Sequence, residues 1–336
     1  MNGTPETGKK KGLHAVSDSR GVIAAVAIDQ RSALRNLFAN SMSVEPEAVP
    51  PDNLIRFKEA VSRILTPHAT AILLDPEFGL PAAGQRAKNA GLLLAYEKTG
   101  YDNRVGGRLP SLLGRWSARR LAGAGADCVK ILLYYSHSSS PEINEAKQAF
   151  VERVGAECAA EDLPFFLELV AYSEHAEAKT PEFARIKPAI ISAGMAEFSK
   201  PQYRVDVLKV GFPVDLAYVE GAPAANSQSV YTRDTAREYF RHMSDAAALP
   251  FLYLSEGVRN EALQYGLELA AEAGAKFCGV LCGRATWKEG VAIMVQRGMA
   301  ALQDWLSSVG VENVQNINRR LAAATSVFDP RGVVGK

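Results

Sequence analysis

Eight short apolar runs recur along the chain: VIAAVAIDQ at 22–30, AILLDP at 71–76, GLLLAYE at 91–97, CVKILLYY at 128–135, PFFLELV at 164–170, VDVLKVGFP at 205–213, PFLYLSEGV at 250–258 and FCGVLCGR at 277–284. Each is rich in Val, Ile, Leu and aromatic residues without strict alternation, the pattern of parallel strands covered by helices. The segments between them carry helix signals. Ser140-Pro141 supplies a cap and a first helical residue, followed by Ile143, Phe150, Val154 and Cys158 on one face and Glu145, Glu152 and Glu157 elsewhere. Gly274 closes EALQYGLELAAEAG. Two stretches, AGADCVKILL at 124–133 and AGAKFCGVLC at 273–282, lead from a helix end into a strand at the same offset, a weak sign of an internal repeat.

Strand and helix alternating eight times predict an α/β fold, a (β/α)8 barrel with an additional C-terminal helix around NVQNINRRLAAAT. An open doubly wound sheet is the competing architecture, but it commonly carries a G-x-G-x-x-G turn, and that signature is absent. Residues 21–325 are expected to form a single domain, residues 1–20 a flexible extension and residues 326–336 a flexible tail.

Composition adds limits. The chain has 336 residues, 47% hydrophobic and 22% charged, with a formal net charge of +1, as in an ordinary globular protein with a sizeable core. No basic excess points to nucleic acid. The opening MNGTPETGKKKG is followed by no apolar signal segment, and no run is long enough to span a membrane, so a cytoplasmic location is expected. Cys128, Cys158, Cys278 and Cys282 form no C-x-x-C pair and read as reduced core residues. The five histidines show no dense ligand spacing, and neither a metal nor another cofactor is expected.

In a (β/α)8 barrel the chemistry gathers at the C-terminal ends of the strands. Lys209 lies inside the sixth apolar run and Lys130 inside the fourth. A lysine that loses hydration favours its neutral, nucleophilic amine, which points to Schiff-base chemistry. The alternative is a lysine that snorkels outward or sits in a structural ion pair. Glu168, flanked by leucines, reads as a proton donor and acceptor, or else as a counter-ion for Lys130. Asp29 reads equally as a substrate ligand or as the N-cap of the helical pattern that follows. Gly257 and Gly283-Arg284 follow the seventh and eighth strands, where barrels bind phosphate; the alternative is two tight turns and a solvated arginine. Trp116 and Trp287 read as packing residues, and the charges at 142–157 as a solvated helix face.

The segments DQRSALRNLF, AILLDPEFGLPA, AYEKTGYD, AGADCVKILLYYS, PFFLELVAY, EFSKPQYRVDVLKV, YLSEGV and AGAKFCGVLCGRATWKEGV resemble, in that order, the class I tagatose-1,6-bisphosphate aldolase family over about residues 20–320. The resemblance implies a barrel aldolase that splits a ketose 1,6-bisphosphate into dihydroxyacetone phosphate and glyceraldehyde 3-phosphate without a metal. By matching motif it implies Lys209 as the Schiff-base former, Glu168 as acid and base, Lys130 beside the nucleophile, and Asp29 and Gln30 at the substrate. It also implies Ser255, Gly257, Gly283 and Arg284 as phosphate-handling positions, and a homo-oligomer with a small sugar phosphate as its partner. Two positions depart from the family pattern: Gly211 stands where a glutamate is usual, and Glu256 where a small residue is. These departures leave open which sugar is used. A ketose 1-phosphate with another C6 anion, such as a sulfonate, and a sugar-phosphate-binding regulator without turnover are the alternative readings.

Overall fold

The computed structural model describes residues 7–101, 106–223, 225–226 and 228–329. Eight parallel strands close into a barrel in sequential order. They are β1 (Ile23–Ala27), β2 (Ala71–Leu74), β3 (Gly91–Ala95), β4 (Cys128–Tyr135), β5 (Phe165–Ala171), β6 (Val207–Val210), β7 (Phe251–Leu254) and β8 (Gly279–Cys282). β1 pairs with both β2 and β8, which completes the ring. Every apolar run singled out in the sequence contains one of these strands.

Side chains alternate across each strand, so successive residues face the barrel interior and the helical layer in turn. Ile23, Ala25, Ala27, Leu73, Leu93, Ala95, Cys128, Phe166, Val207, Leu252 and Leu281 belong to the interior core. Val26, Ile72, Leu94, Val129, Leu167, Leu208 and Tyr253 belong to the larger core between sheet and helices. Following the inward parity upward leads from Ala27 to Asp29, from Ala95 to Glu97, from Cys128 to Lys130, from Phe166 to Glu168 and from Val207 to Lys209. The interior is therefore apolar at the lower end and charged at the upper end, with both faces of each strand buried.

Two of the longer helices begin at side-chain caps. Ser140 accepts the Ile143 amide for the helix Pro141–Ala160, and Thr180 accepts the Phe183 amide for the helix Pro181–Phe198. Lys147 corrects the reading of 142–157 as a wholly solvated face: it is fully buried, and its ammonium donates to the Tyr172 hydroxyl at 2.8 Å. Burial lowers its pKa to about 7. The C-terminal segment is helical over Gly290–Trp305, with a break at Gly298 (φ +83°), and over Val311–Arg319, the two joined by one π-helical stretch.

Two terminal segments pack against the barrel. Gly8–Val16 is a helix beneath the barrel, with Gly12 against the Asp127 carbonyl and Lys9 paired to Asp206 at 2.7 Å. Val327 is buried and its amide bonds the Gly21 carbonyl at 2.8 Å, while Phe328 stacks on His14. The apolar lower mouth of the barrel needs a cover, and these two segments supply it. Residues 1–6 and 330–336, within the extension and tail expected to be flexible, lie outside the described residues. Among the described residues no helix is long and apolar enough to cross a membrane. All four cysteines are free and buried.

Candidate active site

Neighbouring strands bring Lys209 and Glu168 side by side: they are register partners in β6 and β5. Lys209 Nζ donates to Glu168 Oε2 at 2.9 Å, and the same oxygen lies 2.7 Å from Lys130 Nζ. Lys130 also reaches Asp29 Oδ2 at 2.8 Å and Glu97 Oε1 at 2.9 Å. Three carboxylates from β1, β3 and β5 thus converge on one ammonium, and the cation that gathers them is Lys130 itself. Asp29 is committed to this pair and does not cap the following helix, whose N-cap is Arg31, without a side-chain cap bond.

Burial and pairing oppose each other at these groups. Burial alone would raise the Asp29 carboxyl, but Lys130, with help from Lys209, outweighs it and keeps the carboxyl well below the usual range. Glu168 follows the same balance: burial raises it, the two lysines prevail, and its pKa falls. Burial works against the Lys130 ammonium, yet Asp29, Glu168 and Glu97 push its pKa well above that of a free lysine. Glu97 goes the other way, because burial outweighs Lys130 and Arg31 and raises its pKa. The site therefore offers an ionised carboxylate one hydrogen bond from a lysine amine, with a permanent cation on its other side. Such a pair can pass a proton back and forth while the amine forms and breaks a bond to carbon.

A cavity of about 630 Å³ opens above this cluster, lined by Asp29, Gln30, Glu97, Glu168, Glu256 and Arg284, among others. Gln30 has a buried amide oxygen without a hydrogen-bond partner among the described residues. Gly257 adopts φ +75°, and a Cβ there would lie 2.4 Å from Arg284 Nη2, so glycine is what lets the backbone lie against that guanidinium. Gly283 is buried beside Gln30 Nε2, and Ser255 is buried against Cys282. Lys130, Lys209, Asp29 and Glu168 thus form one cluster, while Ser255, Gly257, Gly283 and Arg284 form a second group on the β7–β8 side.

Against this geometry stand the relatives. The family model for DeoC/LacD family aldolases matches residues 23–289. The chain belongs to the DeoC/LacD aldolase family. It is 52% identical to tagatose 1,6-diphosphate aldolase 2 of Enterococcus faecalis over 96% of each chain. It is 46% identical to tagatose 1,6-diphosphate aldolase of Streptococcus agalactiae over 96% of this chain and 98% of that one. A solved Schiff-base-forming fructose-1,6-bisphosphate aldolase shares the fold at a TM-score of 0.53 and 14% identity, covering 89% of this chain and 98% of its own.

Several charged groups of this family member escaped the sequence reading of its site. Glu97 is the clearest, and its signal was present: in GLLLAYE it continues the inward parity of Leu93 and Ala95. Arg31 donates to the Glu97 carbonyl at 2.8 Å and to Glu77 at 3.1 Å, which ties the ends of β1, β2 and β3 together. Lys58, from the helix Pro51–Leu65, pairs with Asp75 and donates to the carbonyls of Ile28 at 2.7 Å and Gln30 at 3.0 Å. Those carbonyls flank Asp29, so Lys58 holds the backbone from which Asp29 projects. No local pattern marks Lys58, because its partners lie in other strands. The two departures from the family pattern meet in space: Gly211 and Glu256 are in contact, and Glu256 is paired with Lys187 at 2.8 Å. Trp287 is buried, as expected of a packing residue, and bonds the Ala27 carbonyl at 2.9 Å.

Proposed function

We propose that the chain is a class I aldolase that cleaves D-tagatose 1,6-bisphosphate to dihydroxyacetone phosphate and D-glyceraldehyde 3-phosphate, with Lys209 as the Schiff-base lysine. The observation that carries this reading is the 2.9 Å bond between Lys209 Nζ and Glu168 Oε2 beneath the cavity.

Lys209 passes a proton to Glu168 and attacks the C2 carbonyl of the open-chain ketose, giving a carbinolamine. Glu168 returns the proton to the departing hydroxyl, and loss of water leaves a protonated imine. That cation is the electron sink for the next step. Glu168, again a carboxylate, removes the proton of the C4 hydroxyl; the C3–C4 bond breaks, its electron pair moves into the imine, and the aldehyde leaves. The remaining enamine takes a proton at C3, and water adds to the imine to release dihydroxyacetone phosphate and free Lys209. Lys130 holds Asp29 ionised and favours the carboxylate form to which Glu168 returns after each proton transfer, as its distances to both support.

Arg284 and the backbone amides beside Gly257 and Gly283 suit a phosphate group, since the guanidinium is a fork of donors and both glycines let the main chain approach. Asp29 and Gln30, on the adjoining β1 side of the cavity, suit the hydroxyls of the sugar.

The test is cleavage of tagatose 1,6-bisphosphate by the purified chain, with and without a strong chelator, alongside Lys209→Met. Activity that resists the chelator and disappears in the variant supports the reading. Activity lost to the chelator and kept by the variant overturns it.

A further inference from the structure

Gly211 follows β6 directly, and Glu256 lies just beyond β7. The two share one volume: a Cβ on Gly211 would lie 2.3 Å from Glu256 Oε1 and 2.7 Å from its carboxyl carbon. Only glycine at 211 leaves that carboxylate its place. The other carboxylate oxygen, Glu256 Oε2, accepts from Lys187 Nζ at 2.8 Å, and Lys187 also donates to the Val214 carbonyl at 3.3 Å. Lys187 projects from the helix Pro181–Phe198 and is 4% exposed, whereas the Glu256 side chain is 29% exposed, so the pair is a half-buried tie between that helix and the loops after β6 and β7.

The backbone of Glu256 is unusual. It sits at φ +46°, followed by Gly257 at φ +75°, and the turn is closed by the Val258 amide on the Ser255 carbonyl at 2.9 Å. A left-handed conformation is uncommon for a glutamate and costs conformational energy that its surroundings must offset. Here the carboxylate is gripped by Lys187 in the space over Gly211, and the residue after it presses its backbone on Arg284.

We propose that Glu256 is a positioning residue, clamped by Lys187 in the space left by Gly211, that holds the turn at 255–257 in the conformation that sets Gly257 against Arg284 and so prepares the phosphate anchor. This rests on the reading of the Arg284 side as the place of a substrate phosphate. The clamp also settles how an acidic residue can stand inside an anion-binding turn: its charge is matched by Lys187 and does not confront the phosphate unpaired. Neither Glu256 nor Lys187 takes part in imine formation, so their loss acts on binding of the phosphorylated substrate.

The test uses the full chain and measures KM and kcat for bisphosphate cleavage, together with competitive inhibition by inorganic phosphate. Lys187→Met and Glu256→Gln each remove the ion pair, and Gly211→Ala displaces the carboxylate without removing a charge. The expected result is a rise of about tenfold or more in both KM and the phosphate inhibition constant, with kcat within about threefold, the scale of a displaced binding group. Gly211→Glu alone places two carboxylates in one space and is worse; Gly211→Glu with Glu256→Gly, which offers Lys187 a carboxylate from β6 and a residue at 256 suited to φ +46°, recovers most of that loss. The proposal is overturned if Lys187→Met and Glu256→Gln leave KM and phosphate inhibition within about twofold of the parent, or if only kcat falls. Arg284→Ala separates the two readings. If it raises KM and the phosphate constant while the clamp variants do not, the clamp fails alone; if it changes neither, the anchor reading fails and takes the clamp with it.

Discussion

Glu168 and Lys209 face each other across adjacent strands, joined by a 2.9 Å hydrogen bond, and Glu168 lines the cavity. The sequence separates them by forty-one positions; the β5–β6 register makes them neighbours. Replacing Glu168 by Gln keeps the shape and removes the proton acceptor. Cleavage is expected to slow by a factor of about 10² to 10⁴, the usual contribution of a placed acid–base group. Steady-state kinetics checks this, with a melting curve to show that the fold persists.

Lys130 is the common partner of Asp29, Glu97 and Glu168. Lys130→Met removes the cation shared by three buried carboxylates, leaving Glu168 to Lys209 and Glu97 to Arg31 but stranding Asp29, and breaking such a cluster costs about 3–5 kcal/mol of stability. Denaturant unfolding of the variant measures the loss. A change below about 1 kcal/mol, the scale of an exposed pair, would show that solvent screens the cluster.

The lowered pKa values of Asp29 and Glu168 have a pH signature. A carboxyl depressed in the folded state binds protons more weakly there than in the unfolded chain, so its stabilisation is complete above the unfolded carboxyl range near 4 and declines as pH falls through that range toward the folded values. Unfolding free energy is therefore expected to fall steadily below about pH 5, and Asp29→Asn is expected to flatten that acid limb. Urea titrations between mildly acidic and neutral pH provide the comparison.

Lys147 predicts a dependence of the same sign in a higher pH window, arising from a penalty and not from a stabilising pair. Its pKa of about 7 in the folded protein lies below the lysine value of about 10.4 in an unfolded chain, so between these pH values the unfolded state binds the extra proton and stability rises with pH. Lys147→Met removes that penalty. The variant is expected to be more stable than the parent near pH 7, with the advantage shrinking toward pH 10.

How much of this could be read from the chain depended on the range of each signal. The eight strands were visible because β-rich runs such as CVKILLYY and PFFLELV are local. Lys130, Glu168 and Lys209 stood out because each interrupts such a run. Glu97 was missed although the inward alternation after Leu93 and Ala95 marked it. Lys58 and Lys187 were invisible for a different reason: each lies on a helix with ordinary amphipathic spacing, and its role is set by carbonyls and carboxylates on strands distant in sequence. The helix at 8–16 has no strong local signal in GKKKG; its contacts beneath the barrel, such as Lys9 with Asp206, are distant in sequence.

Lys58 and Asp75 give a further prediction of that kind. They are both fully buried and pair beneath Asp29, so removing either charge alone strands the other. Lys58→Met and Asp75→Asn are each expected to lose about 3–5 kcal/mol, and the double variant less than the sum. A double-mutant cycle in denaturant reads the coupling.

The central claim is that Lys209 forms the covalent intermediate. Treating the protein with dihydroxyacetone phosphate and borohydride reduces any imine to a stable secondary amine, and peptide mass spectrometry then locates it. The account predicts one adduct, on Lys209. An adduct on Lys130 or elsewhere, or no adduct from a preparation that actively cleaves the sugar, contradicts it.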